Sequence, residues 1–165
     1  MQSTSNILMI RPVNFRFNSE TAVNNAFQVK SEDSNIPEKA RKEFDHFVQV
    51  LQHHGIHVTV IDDTPEPYTP DSIFPNNWVS FHDDGTVVLY PMFAENRRAE
   101  RKQHVLDNIF RHFEKHRLID LTGAEAEHLF LEGTGSMVLD RDNRIAYACL
   151  SPRTNKSLVD RFCQQ

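Results

Sequence analysis

The chain alternates short apolar runs with segments whose apolar residues recur at helical spacing. Short apolar runs bounded by turn residues are typical of strands, and an apolar stripe at helical spacing is typical of an amphipathic helix. The longest helix is predicted to begin near Pro37 and to stop at Gly55. Its apolar face is predicted to contain Ala40, Phe44, Phe47, Val48 and Leu51. Strands are predicted in NILMIRP, IHVTVID, NWVSFHDDGTVVLYP, LIDLT and SMVLDRDNRIAYACL. The pattern therefore indicates a mixed α/β fold.

Two hairpins are predicted, and each is followed by a helix, so the order of elements begins again. The first hairpin covers 77–91 and precedes a helix over roughly 97–116 and the strand LIDLT. The second covers 136–150 and precedes a helix with Thr154 or Asn155 as its N-cap. This unit of two strands, a helix and a strand recurs about every 60 residues. Because no single unit buries its own hydrophobic face, such repeats stack or close into a ring.

The length of the chain suits one hydrophobic core. Of its 165 residues, 39% are hydrophobic, and residues 1–165 are interpreted as part of a single domain. The last predicted helix reaches FCQQ without a glycine stop, a basic final turn or a following strand. We therefore expect the chain to be the N-terminal portion of a longer protein.

The charge balance excludes several classes of partner. A formal net charge of -5 and a pI near 6.0 argue against nucleic acid and anionic membranes, because both favour a basic surface. No apolar run approaches the length of a membrane-spanning helix, and MQSTSNILMIRP lacks the basic start and cleavage site of a signal peptide. The expected location is the cytoplasm.

Metal, phosphate and serine-nucleophile sites are not supported by the motifs. Cys149 and Cys163 form no disulfide framework or metal spacing, and each is expected to be a buried or partly buried thiol. His112 and His116 have a chelating spacing, but the Arg- and Lys-rich helix around them favours a solvated surface. EGTGS at 132–136 has no following lysine for a phosphate cradle, and the chain lacks a G-x-S-x-G elbow.

Polar residues are concentrated where loops meet the predicted hairpins. Asp71, Asn76 and Asn77 precede the first hairpin, Glu132 precedes the second, and Arg153 follows it. In a ring of repeats these junctions converge on the central axis, where a carboxylate, an amide pair and an arginine could bind a small zwitterionic amino acid. The alternative is that Asp71 and the asparagines only cap turns, as these residue types often do.

Three stretches carry a family resemblance: MIRPVNFRFN, PDSIFPNNWVSF and LEGTGSMVLDRDNRIAYACLSPRT. Together they resemble the guanidino-group-modifying superfamily, the penteins, which includes arginine deiminase, dimethylarginine dimethylaminohydrolase and glycine amidinotransferase. The resemblance covers nearly the whole chain and is closest to an amidinotransferase-like branch that includes citrulline hydrolases. It implies a pentein-type α/β propeller of five ββαβ units, of which this chain would supply the N-terminal blades.

The resemblance also implies a reaction and a role for each matched residue. In the family a cysteine thiolate attacks the central carbon of a guanidinium or ureido group, a histidine moves protons, and no metal or other cofactor takes part. Glu132 resembles the acid that orients the histidine, and Arg153 the arginine that binds the substrate α-carboxylate. Asp71 matches a contact to the α-amino-acid end of the substrate. The cysteine and histidine are expected beyond position 165, so the fragment alone is expected to be inactive.

Asn77 departs from the family pattern, because relatives that bind a guanidinium carry an aspartate at the matching position. An asparagine is neutral, with one acceptor oxygen and two donor hydrogens, so it suits a ureido group and leaves a guanidinium without its counterion. This favours citrulline, although Asp71 or residues beyond position 165 could supply the missing charge. EGTGS also has one residue more than the family's usual Glu-Gly-Gly-Asp.

The sequence therefore predicts a hydrolase of a carbon–nitrogen bond in a ureido or guanidino amino acid, with citrulline favoured. Arginine deiminase or amidinotransferase chemistry is the alternative for the substrate. A non-catalytic domain that binds an amino acid or a protein partner is the alternative from another class. The implied partner is a small amino-acid substrate, and homo-oligomerisation is left open.

Overall fold

The computed structural model of the chain describes residues 3–23, 25, 27–113 and 117–165. The chain divides into two compact units. The crossover unit comprises Thr4–Pro75 and Ala94–Asn108, and the hairpin unit contains Asn76–Phe93 and Ile109–Gln165. The strands of the described residues are β1 (Asn6–Arg11), β2 (His57–Asp62), β3 (Val79–Phe81), β4 (Thr86–Leu89), β5 (Arg117–Asp120), β6 (Met137–Asp140) and β7 (Ile145–Ala148). The helices are α1 (Ser19–Ala22), α2 (Ile36–His53), α3 (Glu95–Arg98), α4 (Gln103–His112), α5 (Gly133–Ser136) and α6 (Lys156–Cys163).

The crossover unit is built on a parallel strand pair. Strand β1 pairs with β2 in parallel, and α2 lies between them in the chain, as a parallel pair requires. Helix α2 buries Phe44 and Val48 together with Val58 of β2. Phe47, predicted on the same face, lies at the margin of the apolar stripe and is 52% exposed. It has a proline in its first turn and is followed by Gly55 at a φ of 79°, where a glycine carries no Cβ penalty. The predicted helix and both of its flanking strands are confirmed.

The hairpin unit contains both predicted hairpins. Strands β3 and β4 pair antiparallel, and β5 adds to β4 in parallel, so the sheet order is β3-β4-β5. Strands β6 and β7 form the second antiparallel hairpin. Val87 and Val88 of the central strand β4 point to opposite faces of the sheet and are each 1% exposed, so both faces of this strand are covered. Helix α6 begins at the N-cap Asn155, whose side chain accepts a hydrogen bond from the Ser157 amide.

One hydrophobic cluster joins the two hairpins of this unit. Its buried members come from β4, the loop before α5, the start of β6, and α6: Val88, Tyr90, Leu121, Ala124, Leu131, Met137 and Leu158. Among the described strands, the three sheets are β1-β2, β3-β4-β5 and β6-β7, each with its own ladder. The mixed α/β class is confirmed, whereas closure of such sheets into a propeller remains a prediction.

Two local expectations were wrong. The helix predicted over 97–116 is divided into α3 and α4, and residues 114–116 lie outside the described ones. The division falls at buried charges, where Glu100 and Lys102 turn inward to ion-pair partners. Cys149 and Cys163 are both exposed. Cys149 directly follows β7, where Tyr147 is also in solvent, and Cys163 is the last residue of α6. Within the described ranges, no helix combines the length and apolar character needed to cross a membrane.

Buried ion pairs hold the loops of the crossover unit. The Lys102 Nζ donates to Asp63 Oδ1 and to the Thr64 carbonyl, at 2.7 Å each, and the Lys102 and Asp63 side chains are 4% and 2% exposed. Arg97 donates from Nε and Nη2 to the two oxygens of Glu100, at 2.8 and 3.0 Å. Each charge has its counterion, which a charged group removed from water requires.

We predict that Lys102→Met destabilises the protein by about 3–5 kcal/mol, because it leaves the buried Asp63 carboxylate without its counterion. The free energy of unfolding, measured by denaturant titration of the full-length protein, tests this. Lys39→Met is the matched control, since Lys39 pairs with Asp33 at the surface. Equal stability of the two variants would contradict the prediction.

Candidate functional site

Glu132 is the most buried of the polar residues that the sequence singles out. Its side chain is 1% exposed and lies at the start of the helical turn α5. The Oε1 atom accepts a hydrogen bond from the Phe93 backbone N–H at 3.1 Å, and Oε2 accepts one from Arg153 Nη1 at 3.4 Å. The backbone amide and the guanidinium therefore compensate a carboxylate that has been removed from water.

The hydroxyl of Ser136 connects the backbone of Glu132 to that of Arg153. Ser136 Oγ accepts from the Glu132 N–H at 2.9 Å and donates to the Arg153 carbonyl at 2.9 Å. It also accepts from the Thr154 hydroxyl at 2.8 Å. One donor and two acceptor sites are the full capacity of a hydroxyl, so this buried group is satisfied. The segments before α5 and before α6 are thus held together at the candidate site.

Asn76 packs against the same turn. Its Nδ2 donates to Thr134 Oγ1 at 2.7 Å, and the Thr134 hydroxyl approaches the Asn76 carbonyl at 3.3 Å. Gly133 has a φ of 36°, and a Cβ on it would lie 2.5 Å from the Asn76 carbonyl oxygen. Only glycine fits this close approach of two backbones. The 3-10 turn Pro75–Asn77 and the turn α5 are in contact for this reason.

The carboxamide of Asn77 lies directly beside Gly135. A Cβ built on Gly135 would collide with Asn77 Nδ2 and would stand 3.7 Å from the Glu132 Cβ. Asn77 is half-buried, and among the described residues its carboxamide has no hydrogen-bond partner. A carboxamide whose two donors and one acceptor are all available can hydrogen-bond a polar planar group.

Asp71 belongs to the crossover unit, where it is buried at 6% exposure. Its Oδ2 accepts from Asn18 Nδ2 at 2.7 Å and from the Thr21 hydroxyl at 3.1 Å. Asn18 in turn exchanges hydrogen bonds with Asn96, at 2.8 and 3.2 Å. Asp71 therefore links the loop before β3 to the N-terminal segment around α1, and does more than cap its own turn.

The structure thus brings four of the five predicted site residues into one unit. Asn76, Asn77, Glu132 and Arg153 all belong to the hairpin unit and surround the turn α5. A site that they share with Asp71 remains a prediction. Of the EGTGS segment, the sequence motifs single out Glu132 and not Thr134, Gly135 or Ser136. The pair of glycines around a threonine was the available signal of close packing at this turn.

A second polar cluster in the hairpin unit borders a cavity of about 500 Å³ between the two hairpins and α6. His82 Nε2 and Tyr90 Oη both hydrogen-bond Ser80 Oγ, at 3.0 and 2.8 Å. Arg141 Nη1 lies 3.0 Å from His82 Nδ1. Because a guanidinium can only donate, Nδ1 is the acceptor and the imidazole is neutral. Burial, followed by the positive charge of Arg141, lowers the pKa of His82 below its usual value.

The family model described as N,N dimethylarginine dimethylhydrolase, eukaryotic, matches residues 11–165. A match of this extent shows that the chain belongs to this family. The resemblance to the pentein superfamily, seen first in the motifs around Asn77 and Glu132, is thereby confirmed. Among curated proteins no sequence match is found.

Solved structures share the fold at low sequence identity. The substrate-bound N-terminal domain of ArgZ, an arginine dihydrolase from the ornithine-ammonia cycle in cyanobacteria, has a TM-score of 0.66 at 18% identity over 96% of this chain and 55% of its own. A dimethylarginine dimethylaminohydrolase adduct with S-methyl-L-thiocitrulline gives 0.66 at 18%, over 95% of this chain and 54% of its own. The structure of AgrE with ornithine and NAD+ has a TM-score of 0.66 at 22% identity, over 93% of this chain and 21% of its own.

The chain therefore spans about half the length of the ArgZ domain and the dimethylaminohydrolase, and about a fifth of the longer AgrE chain. At these identities the likeness shows the fold.

We predict that His82 makes stability depend on pH. The folded state holds His82 neutral because its pKa is lowered. As the pH falls through 6.5, the ordinary pKa of a histidine, the unfolded state therefore binds a proton before the folded state does. The stabilisation is present above that pH and is lost as the pH falls from 6.5 toward the lowered pKa of the folded state. In His82→Gln the free energy of unfolding should decline less over this window than in the wild type. His46→Gln, at an exposed position of α2, controls for the loss of one histidine, and equal slopes in both variants would contradict the prediction.

Proposed function

We propose that the full-length protein hydrolyses a carbon–nitrogen bond of a ureido or guanidino amino acid. Citrulline is the favoured substrate, and its products are ornithine, ammonia and carbon dioxide. The observation that carries this proposal is the Asn77 carboxamide, which lies against Gly135 of the turn α5 and has no hydrogen-bond partner among the described residues. The relatives named for arginine and dimethylarginine hydrolysis support the reaction class.

The choice of a ureido substrate follows from charge. A carboxamide can accept from a ureido N–H and donate to a ureido carbonyl, without placing a charge in the site. A guanidinium in the same place keeps its positive charge, and a buried cation without a counterion costs several kcal/mol. Glu132 is the nearby carboxylate of the hairpin unit, and it is already paired with Arg153. An amide at position 77 therefore favours the neutral group.

Glu132 is the proposed positioning residue for the catalytic histidine, which we expect beyond residue 165. A carboxylate offers about four acceptor positions, and the Phe93 amide and Arg153 use two of them. The remaining capacity suits an imidazole N–H, whose tautomer a carboxylate fixes and whose protonated form it stabilises. The nucleophile is a cysteine from the same expected segment, which forms a covalent intermediate that water resolves.

The amino-acid end of the substrate is assigned to the other site residues. Arg153 is partly exposed, with 19% of its side chain in solvent, and its planar guanidinium suits the α-carboxylate. Asp71 is proposed to contact the α-amino end. Asn76 is the neighbour that fastens the Asn77 segment to Thr134, and its exposed position leaves it a peripheral substrate contact.

We predict that Asn77→Asp in the full-length protein shifts substrate preference toward arginine. The new carboxylate supplies the counterion for a guanidinium, so the ratio of kcat/KM for arginine to that for citrulline should rise at least about 10-fold. Ammonia release from both substrates measures it. Asn35→Asp, which makes the same change of charge at the exposed N-cap of α2, is the control. Faster turnover of arginine by the wild type would contradict the proposed substrate, and no ammonia from either compound would favour a non-catalytic binding domain.

We predict that Glu132→Gln lowers kcat by at least about 100-fold while changing KM much less, because an amide cannot stabilise the histidine as it becomes charged. Steady-state kinetics with citrulline test this, and Glu127→Gln, at an exposed position, is the control. A variant that loses binding but keeps turnover would instead place Glu132 in direct contact with the substrate.

A further inference from the structure

The turn α5 is fitted to the Asn76–Asn77 segment by three consecutive residues. Gly133 gives the backbone room to approach the Asn76 carbonyl. Thr134 is hydrogen-bonded to both the side chain and the carbonyl of Asn76. Gly135 leaves open the volume that the Asn77 carboxamide occupies. These contacts join positions about 58 residues apart in the chain, so they position the segment independently of its own local structure.

Gly135 differs from Gly133 in why it has to be a glycine. Gly133 has a positive φ, as do Gly55 and Gly85, whereas Gly135 does not. An alanine at position 135 would therefore fit the backbone, and in a helical turn it would ordinarily be neutral or stabilising. What excludes a Cβ there is the Asn77 carboxamide alone, since the next neighbour, the Glu132 Cβ, lies at ordinary contact distance. A Cβ at position 135 would therefore displace one side chain, that of Asn77.

We propose that Gly135 is a specificity-determining position, which holds the Asn77 carboxamide against the turn α5 by leaving space for it. The inference rests on the proposed function, in which that carboxamide distinguishes a ureido from a guanidino group. A hydrogen-bonding group has to be held within about 0.5 Å of its productive position to be effective. A methyl group at position 135 occupies the place of the carboxamide and turns it away, so the site loses its ureido contact while Asn77 itself remains in the chain.

A double-mutant cycle in the full-length protein tests the proposal. Gly135→Ala should lower kcat/KM for citrulline about 3- to 10-fold, the effect of one or two lost hydrogen bonds, and so should Asn77→Ala. In the Asn77→Ala background, Gly135→Ala should change kcat/KM less than about 2-fold, because the side chain that it displaces is already gone. Gly123→Ala is the matched control, since a Cβ at position 123 has no neighbour within 4 Å. Independent, additive losses from Gly135→Ala and Asn77→Ala would overturn the proposal.

A second pair of variants avoids any change of volume in the turn. Thr134→Val removes both hydrogen bonds to Asn76 at constant shape, whereas Thr134→Ser keeps the hydroxyl. The valine variant should lose selectivity for citrulline over arginine by about 3-fold or more, and the serine variant should restore it. Equal selectivity in the two variants would contradict the positioning role of the turn.

The cycle also separates this proposal from the proposed function. If the wild type releases ammonia from neither citrulline nor arginine, the proposed function fails, but the Gly135–Asn77 contact can still be measured by thermal unfolding. Gly135→Ala should then lower Tm in the wild-type background and should leave Tm unchanged or raise it in the Asn77→Ala background, because a helical turn otherwise favours alanine. The same shift of Tm in both backgrounds would overturn the positioning of Asn77 by Gly135.

Discussion

The polar centre of the hairpin unit depends on a single buried carboxylate. Glu132 is almost entirely removed from water, so its charge has to be met by protein groups, and the Phe93 amide and Arg153 provide them. The hydroxyl of Ser136 then ties the backbone of Glu132 to that of Arg153. A carboxylate at this place is stable only while β6, α6 and the turn α5 keep their arrangement. The local fold around α5 therefore depends on the hydrogen bonds that compensate the Glu132 carboxylate.

The composition of EGTGS follows from the same constraint. A turn that carries a buried carboxylate and also packs against another backbone has no room for ordinary side chains. Gly133 and Gly135 remove the Cβ atoms that would meet Asn76 and Asn77, and the threonine between them supplies a hydrogen bond. The absence of a Cβ at position 135 leaves the space that the Asn77 carboxamide occupies.

In the crossover unit, buried charges are compensated mainly by ion pairs. Lys102 pairs with Asp63, and Arg97 pairs with Glu100, so each charge there is balanced inside the unit. Asp71 is satisfied by Asn18 and other neutral donors instead of by a cation. The two described hydrogen-bond donors to its carboxylate are both neutral side chains.

The sequence alone determined the elements that depend on near neighbours in the chain. The alternation of apolar residues located both hairpins, and Pro37 and Gly55 bounded α2. The N-cap of α6 was narrowed to Thr154 or Asn155, and the structure shows that it is Asn155. The site residues were also found in the sequence, but through motifs that resemble a family, and their geometry was not available from spacing.

Only the tertiary structure decided which residues meet. It divided the helix predicted over 97–116 where buried charges turn inward, and it left Cys149 exposed beside a strand with one paired edge. It also placed Gly135 against Asn77, a contact between segments far apart in the chain. Periodicity reports which face of an element is apolar, because that depends on residues three or four positions apart. Periodicity carries no information on which distant segment of the chain packs against that face. At the turn α5 this long-range packing brings the Asn77 side chain against Gly135.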